Sequence, residues 1–313
     1  MERFVGGRAP AASEYHCRDF EWEEVRRDAE AALEAELAVL RSDSPGSDKV
    51  ELANRHQALP LASGTGRRGR GVAPVQPWGD DAANWERFHL RCNKSARFYK
   101  ERRYLLLEFP ALARTDPSPR VVELGCGAGS SLLPVLKANP GARAIATDLS
   151  PAAVDMFRSA AASAGICLSR YEALVFDAAD SLGLNPLDGA NADCCLLVFT
   201  LGALREEAMP RMLRSAFQAL RPGGLLMFRD HGLYDVTQLR WPPAQRLARN
   251  LCHRQDGTTA YFFEPDRLRQ LVEGAGFVAR ECEWACTRLL NRKRGLEMRR
   301  VFVHGLFERP LES

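Results

Sequence analysis

No apolar run in this 313-residue chain approaches the ~18 residues that a membrane-spanning helix requires. Met1 to Cys17 contain no apolar h-region, which argues against a secretory signal, and Glu2, Glu14 and Asp19 argue against an organellar presequence. None of the nine cysteines forms a CxxC pair, and Cys282 and Cys286 lack the repeated spacing of a zinc site. No metal site is therefore expected, and the scattered thiols read as reduced and intracellular, in a cytoplasmic protein with no membrane partner. There is no strong excess of one charge, since the formal net charge is only +3. A uniformly polycationic nucleic-acid binder is excluded on that ground. No internal repeat is visible, and 313 residues suit one large α/β domain with extensions.

The positive charge is clustered instead. Arg67, Arg68 and Arg70 form one group; Lys94, Arg97, Lys100, Arg102 and Arg103 a second; Arg288, Arg292, Lys293, Arg294, Arg299 and Arg300 a third. Each cluster could track phosphates, and each could be solvated surface.

An N-terminal arm, residues 1–83, holds one helix over about 20–40. Its apolar Trp22, Val25, Ala29, Leu33, Leu37 and Leu40 recur at helical spacing, and Asp19 is placed to cap it. Residues 42–80 are rich in Pro, Gly, Ser and Arg and read as a linker. The main domain spans 84–313 and opens with an aromatic, basic segment over 84–110. That segment suits stacking and phosphate contacts, with Lys100 and Arg102 as candidates, or a core-packed lid.

Strand-like and helix-like stretches then alternate. Strands are expected at Val121–Leu124, Ala144–Thr147, Ala173–Phe176, Cys194–Thr200 and Leu225–Phe228. Helices are expected at Ser130–Ala138, Pro151–Ala164 and Glu206–Leu220. Such alternation implies a mostly parallel sheet covered by helices. Phe277–Arg288 and Arg299–Phe307 add two strands joined by a basic turn, an antiparallel hairpin at the sheet edge. The whole is an α/β fold with a mostly parallel seven-stranded sheet.

The strongest motif is Glu123-Leu124-Gly125-Cys126-Gly127-Ala128-Gly129-Ser130, between a strand and a helix. Gly125, Gly127 and Gly129 allow a tight turn that brings backbone close to a ligand. The spacing is GxGxG with an acid ahead of it. A carboxylate such as Glu123 beneath the loop suits a sulfonium and an ammonium better than a pyrophosphate does. Asp148 ends the second strand and can accept both ribose hydroxyls. Asp177 ends the third and can accept an adenine amine. The plainer alternative for each aspartate is a helix or turn cap. A nicotinamide dinucleotide is the rival cofactor.

At these residues the chain resembles the class I methyltransferases. More narrowly, it is similar to the family that makes 3-methylcytidine in tRNA. The similarity is carried by Trp85-Glu86-Arg87-Phe88, Phe98-Tyr99-Lys100-Glu101-Arg102 and Glu108-Phe109-Pro110. It continues in Phe228-Arg229-Asp230-His231-Gly232-Leu233-Tyr234-Asp235, Gln238-Leu239-Arg240, and Arg254-Gln255-Asp256-Gly257-Thr258 with Tyr261-Phe262-Phe263. Asn291-Arg292 and Arg300-Val301-Phe302 complete it. The resemblance implies S-adenosylmethionine as cofactor, held by Trp85, Gly125, Asp148, Asp177, Ala178 and Val198. It implies a Rossmann-like sheet and a cytidine of the tRNA anticodon loop, at position 32, as substrate. It also leaves room for an aminoacyl-tRNA synthetase or another protein partner. Two departures stand out: His89 and His231 occupy positions where the family has tyrosine.

On this basis Asp230 is expected to accept from the exocyclic amine of cytosine and stabilise the cationic product. Arg229, Tyr234, Arg240 and Asp256 are expected to shape the pocket, and Arg292 to contact RNA. The plainer alternative is that Asp230 and Arg229 form a structural ion pair. The rival functions are a methyltransferase acting on small molecules or on other RNA or protein, and a catalytically silent partner subunit. Intact cofactor-loop residues argue against the second.

Overall fold

A computed structural model describes residues 19–42, 81–93, 99–180, 185–242, 245–254, 256–291 and 295–311. The expected linker beyond residue 42, Lys94, Arg97 and the Arg292–Arg294 turn lie outside the described residues.

The chain begins with helix α1 (Trp22–Ser42) and helix α2 (Asp81–Cys92). A short helix α3 (Leu105–Glu108) leads into strand β1 (Arg120–Leu124). Alternation follows: α4 (Leu132–Ala138), β2 (Arg143–Asp148), α5 (Pro151–Ser163), β3 (Tyr171–Val175), β4 (Ala192–Val198), α6 (Met209–Ala219) and β5 (Leu220–His231). The remainder is α7 (Val236–Leu239), three short strands β6 (Arg246–Ala248), β7 (Leu251–His253) and β8 (Thr259–Tyr261), α8 (Pro265–Gly274), and a long hairpin of β9 (Val278–Asn291) and β10 (Leu296–Glu308).

The seven-stranded sheet has the order β3-β2-β1-β4-β5-β10-β9. Strands β1 to β5 are parallel, and the hairpin adds antiparallel to β5. This is the expected class I methyltransferase architecture. The order reverses between β1 and β4, and the carboxyl ends of those strands bound the crevice where open α/β sheets bind ligands. Strand β4 (ADCCLLV) is buried on both faces, as its unbroken apolar run requires. Helix α5 starts where Pro151 fills the first turn and the Ser150 hydroxyl accepts the Ala153 amide at 3.1 Å.

Strand β4 stops at Val198, short of the expected Thr200, because Phe199 turns into the left-handed region at φ 58°. Strand β5 is longer than expected at both ends. The three-stranded sheet β6-β7-β8 and helix α8 have no counterpart among the expected elements. Three-residue strands are too short to show alternation.

Apolar side chains pack on both faces of the sheet, around Val122, Leu197 and Phe228 on one side and Val121, Leu196 and Phe157 on the other. A third cluster lies under α1. There Phe20, Val25 and Ala29 cover Leu233, Tyr234, Phe262, Cys286 and Val301. Trp22 stacks between Tyr234 (5.8 Å) and Trp284 (4.4 Å) and donates its indole N–H to the Leu233 carbonyl at 3.1 Å. Asp19, expected to cap α1, accepts the Arg288 amide at 2.8 Å and so ties the arm to the hairpin.

Candidate active site

Helix α2 is fixed over the crevice by polar anchors. Glu86 accepts the Ser150 hydroxyl and the Ala152 amide (3.1 Å) at the start of α5, and Asn84 donates to the Gly257 carbonyl at 2.9 Å. This roofs a cleft of about 2510 Å³. Trp85 and His89 of α2 line it, with Gly125, Gly127, Gly129, Asp148, Asp177, Ala178 and Val198. The structure thus brings together, on one surface, all the expected cofactor contacts except Glu123.

The three glycines do separate jobs. All lie at positive φ: 73°, 53° and 84° for Gly125, Gly127 and Gly129. A Cβ on Gly125 would meet Thr200 Oγ1 at 2.7 Å, and one on Gly129 would meet Phe157 at 2.7 Å. A Cβ on Gly127 would meet only His89, at 3.7 Å, so that backbone is open to the cleft. The Gly127 amide donates to Asp148 Oδ2 at 2.9 Å, and the Ser150 amide to Oδ1 at 3.0 Å. Asp148 therefore joins the glycine loop to the end of β2.

Glu123 lies beneath the loop and does not line the cleft. Burial pushes its carboxyl up to about 8, against a Ser131 hydrogen bond, and its Oε2 has no hydrogen-bond partner among the described residues. Burial also raises Asp148 and lowers His89, whose Nδ1 lies 3.2 Å from the Asn93 amide nitrogen. Neither Glu123 nor Asp148 forms an ion pair with a described residue. Two shielded carboxyls beside a glycine cradle fit a ligand that brings its own positive charge, as S-adenosylmethionine does. That molecule carries a transferable methyl group on a sulfonium.

A second pocket of about 350 Å³ adjoins the cleft, sharing Trp85, Tyr99, Lys100, Arg102 and Phe199 as walls. Asp230 faces into it. Its Oδ2 accepts the Gly202 amide at 2.9 Å and its Oδ1 the His231 amide at 2.8 Å, and burial pushes the carboxyl up to about 7. Arg102 donates to the Ser130 and Ser131 hydroxyls at the end of the glycine loop, and its guanidinium lies 4.9 Å over the Phe199 ring. Phe199 also meets His231 (5.0 Å) and Phe302 (5.8 Å). Its left-handed backbone is strain spent where cleft and pocket meet. No turn residue marks it in the sequence.

Several expected pocket residues are elsewhere. Side chains alternate along β5, so Arg229 faces away from Asp230. It pairs with Glu108 at 2.6 Å, both side chains buried, and the ion pair with Asp230 weighed from sequence does not form. Tyr234 is buried under α1, its hydroxyl between Glu30 (3.1 Å) and Arg249 (3.2 Å). Arg240 is an exposed neighbour of Met298. Asp256 orders a turn, accepting the Thr258 amide at 3.0 Å and hydroxyl at 2.7 Å. Arg292 lies outside the described residues. Phe199 and Gly202 line the pocket without having been singled out in sequence, and Arg254 and Phe302, quoted there only as motif residues, line it too.

Residues 96–281 match a family model described as a methyltransferase domain. Among curated proteins, the chain is 31% identical over 299 residues to tRNA N(3)-methylcytidine methyltransferase Mettl2 of Drosophila melanogaster, covering 93% of this chain and 83% of that one. It is 32% identical over 231 residues to tRNA N(3)-cytidine methyltransferase METTL6 of Homo sapiens, covering 72% and 80%. It is 34% identical over 238 residues to the tRNA(Thr) (cytosine(32)-N(3))-methyltransferase of Saccharomyces cerevisiae, covering 73% of this chain but 37% of the yeast protein.

Proposed function

This chain belongs to the tRNA N(3)-methylcytidine methyltransferase family, and on that premise we propose that it methylates N3 of cytidine 32 in the anticodon loop of tRNA, with S-adenosylmethionine as donor. The observation that carries the proposal is the small pocket around Asp230, which opens on the cofactor cleft.

Cytosine N3 carries a free lone pair at neutral pH, so no base has to remove a proton before attack. In a duplex N3 is hidden by pairing. The target must be unpaired or extruded into a pocket, as a loop nucleotide can be. The enzyme's work is then alignment and electrostatics. Trp85 and Phe199 offer aromatic faces for the base, and Lys100 and Arg102 draw the phosphodiester towards the pocket. Asp230, fixed by two backbone amides, accepts from the exocyclic amine and stabilises the cation that forms. The His89 ring and the Trp85 indole bound the cleft beside the glycine loop.

The pocket reads one nucleotide, so selection among tRNAs lies in other contacts. A protein partner, such as an aminoacyl-tRNA synthetase, is one source of them. No described helix is long and apolar enough to cross a membrane. The free thiols of Cys126, Cys194, Cys195 and Cys252, buried in the fold, suit the cytoplasm.

The test is transfer from labelled S-adenosylmethionine to total tRNA, followed by nucleoside mass spectrometry. The expected product is 3-methylcytidine, absent with D148A. A different methylated nucleoside, or transfer to small molecules alone after cell extract is added, would refute the assignment.

A further inference from the structure

Asp235 lies one turn beyond the end of β5 and is fully buried. Its oxygens are saturated by donors from two segments, the start of α7 and strand β10. Oδ1 accepts the Thr237 amide at 2.9 Å, and Oδ2 accepts the Val301 amide at 2.9 Å. Arg300 Nε donates to Oδ2 at 2.9 Å and Nη2 to Oδ1 at 3.2 Å. His231 Nδ1 sits 3.6 Å away, and burial pushes that ring down to about 4, so it is neutral and Arg300 is the charged partner.

Arg300 is thus held along one edge of its fork. Nη2 also reaches Thr237 Oγ1 at 3.4 Å, and the guanidinium lies 4.8 Å over the Phe302 ring. Nη1 makes no hydrogen bond to any described residue, and Arg300 lines the same pocket as Asp230. An arginine pinned on one edge to a buried carboxylate has lost its rotamer freedom before a ligand arrives. The other edge then offers N–H groups in a fixed plane, a geometry suited to phosphate oxygens. The surrounding charge agrees: Lys100, Arg102 and Arg254 share the pocket with Asp230 as its acidic group.

We infer that Arg300, oriented by Asp235, binds an RNA phosphate beside the extruded nucleotide and so sets where the base sits against Asp230. The inference rests on tRNA being the substrate. Arg300 is the contact and Asp235 a positioning residue. Neither lines the cofactor cleft, so their work is separable from cofactor binding.

The test compares wild type, R300K, R300A and D235N in steady-state methylation of a tRNA transcript, with S-adenosylmethionine affinity from calorimetry. R300K carries most weight. A lysine keeps a positive charge on Asp235, so the fold stands, but an ammonium cannot hold Asp235 and a phosphate with two fixed edges. R300K is expected to keep cofactor affinity and to raise the KM for tRNA about ten-fold, and to flatten its salt dependence by roughly one unit of log–log slope between about 50 and 200 mM salt. R300A should do the same or more, and D235N should move KM in the same direction by less. An R300K enzyme with wild-type KM and salt slope overturns the inference. So does a fall in kcat with KM and slope unchanged, which would place the contact on the base. A wild-type enzyme that methylates no tRNA nucleoside refutes the substrate itself, a result distinct from both.

Discussion

Asp230 accepts the backbone amide of Gly202 at 2.9 Å, and only a glycine leaves room for that contact. A Cβ at position 202 would fall 2.9 Å from Asp230 Oδ2 and 2.9 Å from the Tyr261 carbonyl oxygen. The second neighbour is backbone and cannot rotate away. G202A should therefore push the Asp230 carboxylate out of place and lower kcat on the order of 10²-fold. Gly202 is not part of the cofactor cleft, so S-adenosylmethionine affinity should stay at the wild-type value. Calorimetry and saturation kinetics on the same preparation check both halves, and unchanged kcat would remove Asp230 from the chemistry.

The pH profile should carry the same residue's signature. Burial lifts Asp230 to about 7, and only the ionised carboxylate can offset the charge of the cationic product. Activity should rise through pH 7, and D230N should lack that limb. Stability should move the other way. The native state holds this proton more tightly than the unfolded chain, where the group titrates near 3.8. The stability from the protonated carboxyl is complete below that value and is lost as pH rises through about 7. Melting temperatures of wild type relative to D230N should fall between pH 4 and 7. A constant difference would contradict the raised pKa.

Arg229 should behave as a structural residue although it adjoins Asp230. Its Nη1 lies 2.6 Å from Glu108 Oε1, which also lies 2.9 Å from His304 Nδ1. Arg229 and His304 hold Glu108 below the ordinary carboxylate range against its burial. Removing one member of a buried pair strands the other, at a cost of about 3–5 kcal/mol. R229M should lose stability on that scale in urea unfolding, and a loss under about 1 kcal/mol would mean that Glu108 finds another partner.

The cofactor side was legible in sequence, and the substrate side only in part. Glycine spacing and one acid per strand end are local signals, since each follows directly from a strand–turn–helix unit. That is why Gly125, Asp148 and Asp177 meet in one cleft as expected. The pocket depends on which face a side chain takes. Arg229 and Asp230 stand side by side in one motif, yet a strand sends them to opposite faces. Tyr234 belongs to the same motif and lies under α1, because Trp22 and Glu30 come from a segment far away in the chain. Phe199 owes its place to a left-handed turn that no local pattern marks, whereas Arg300 was legible as one of a basic cluster and only the buried carboxylate that aims it was not.

Two residues near each other in the cofactor loop's structure should give opposite readouts. Asp148 accepts the Gly127 and Ser150 amides and lines the cleft, with His89 the side chain nearest above the Gly127 backbone. D148A removes a charged acceptor from a ligand that brings its own donors. Each such hydrogen bond contributes about 1.5–3 kcal/mol, so affinity for S-adenosylmethionine should fall at least ten-fold. Because burial already disfavours the ionised form of Asp148, its loss should lower the melting temperature little. Gly129 faces inward instead. A Cβ there would press on Phe157 at 2.7 Å and on Leu133 at 2.8 Å, at φ 84°. G129A should therefore cost stability first, on the order of 1–3 kcal/mol from overpacking alone, with affinity following only as the loop yields. If D148A instead unfolds the protein while G129A melts like wild type, the loop is held together by Asp148 rather than by its packing on α4 and α5, and Asp148 is a structural cap before it is a ligand.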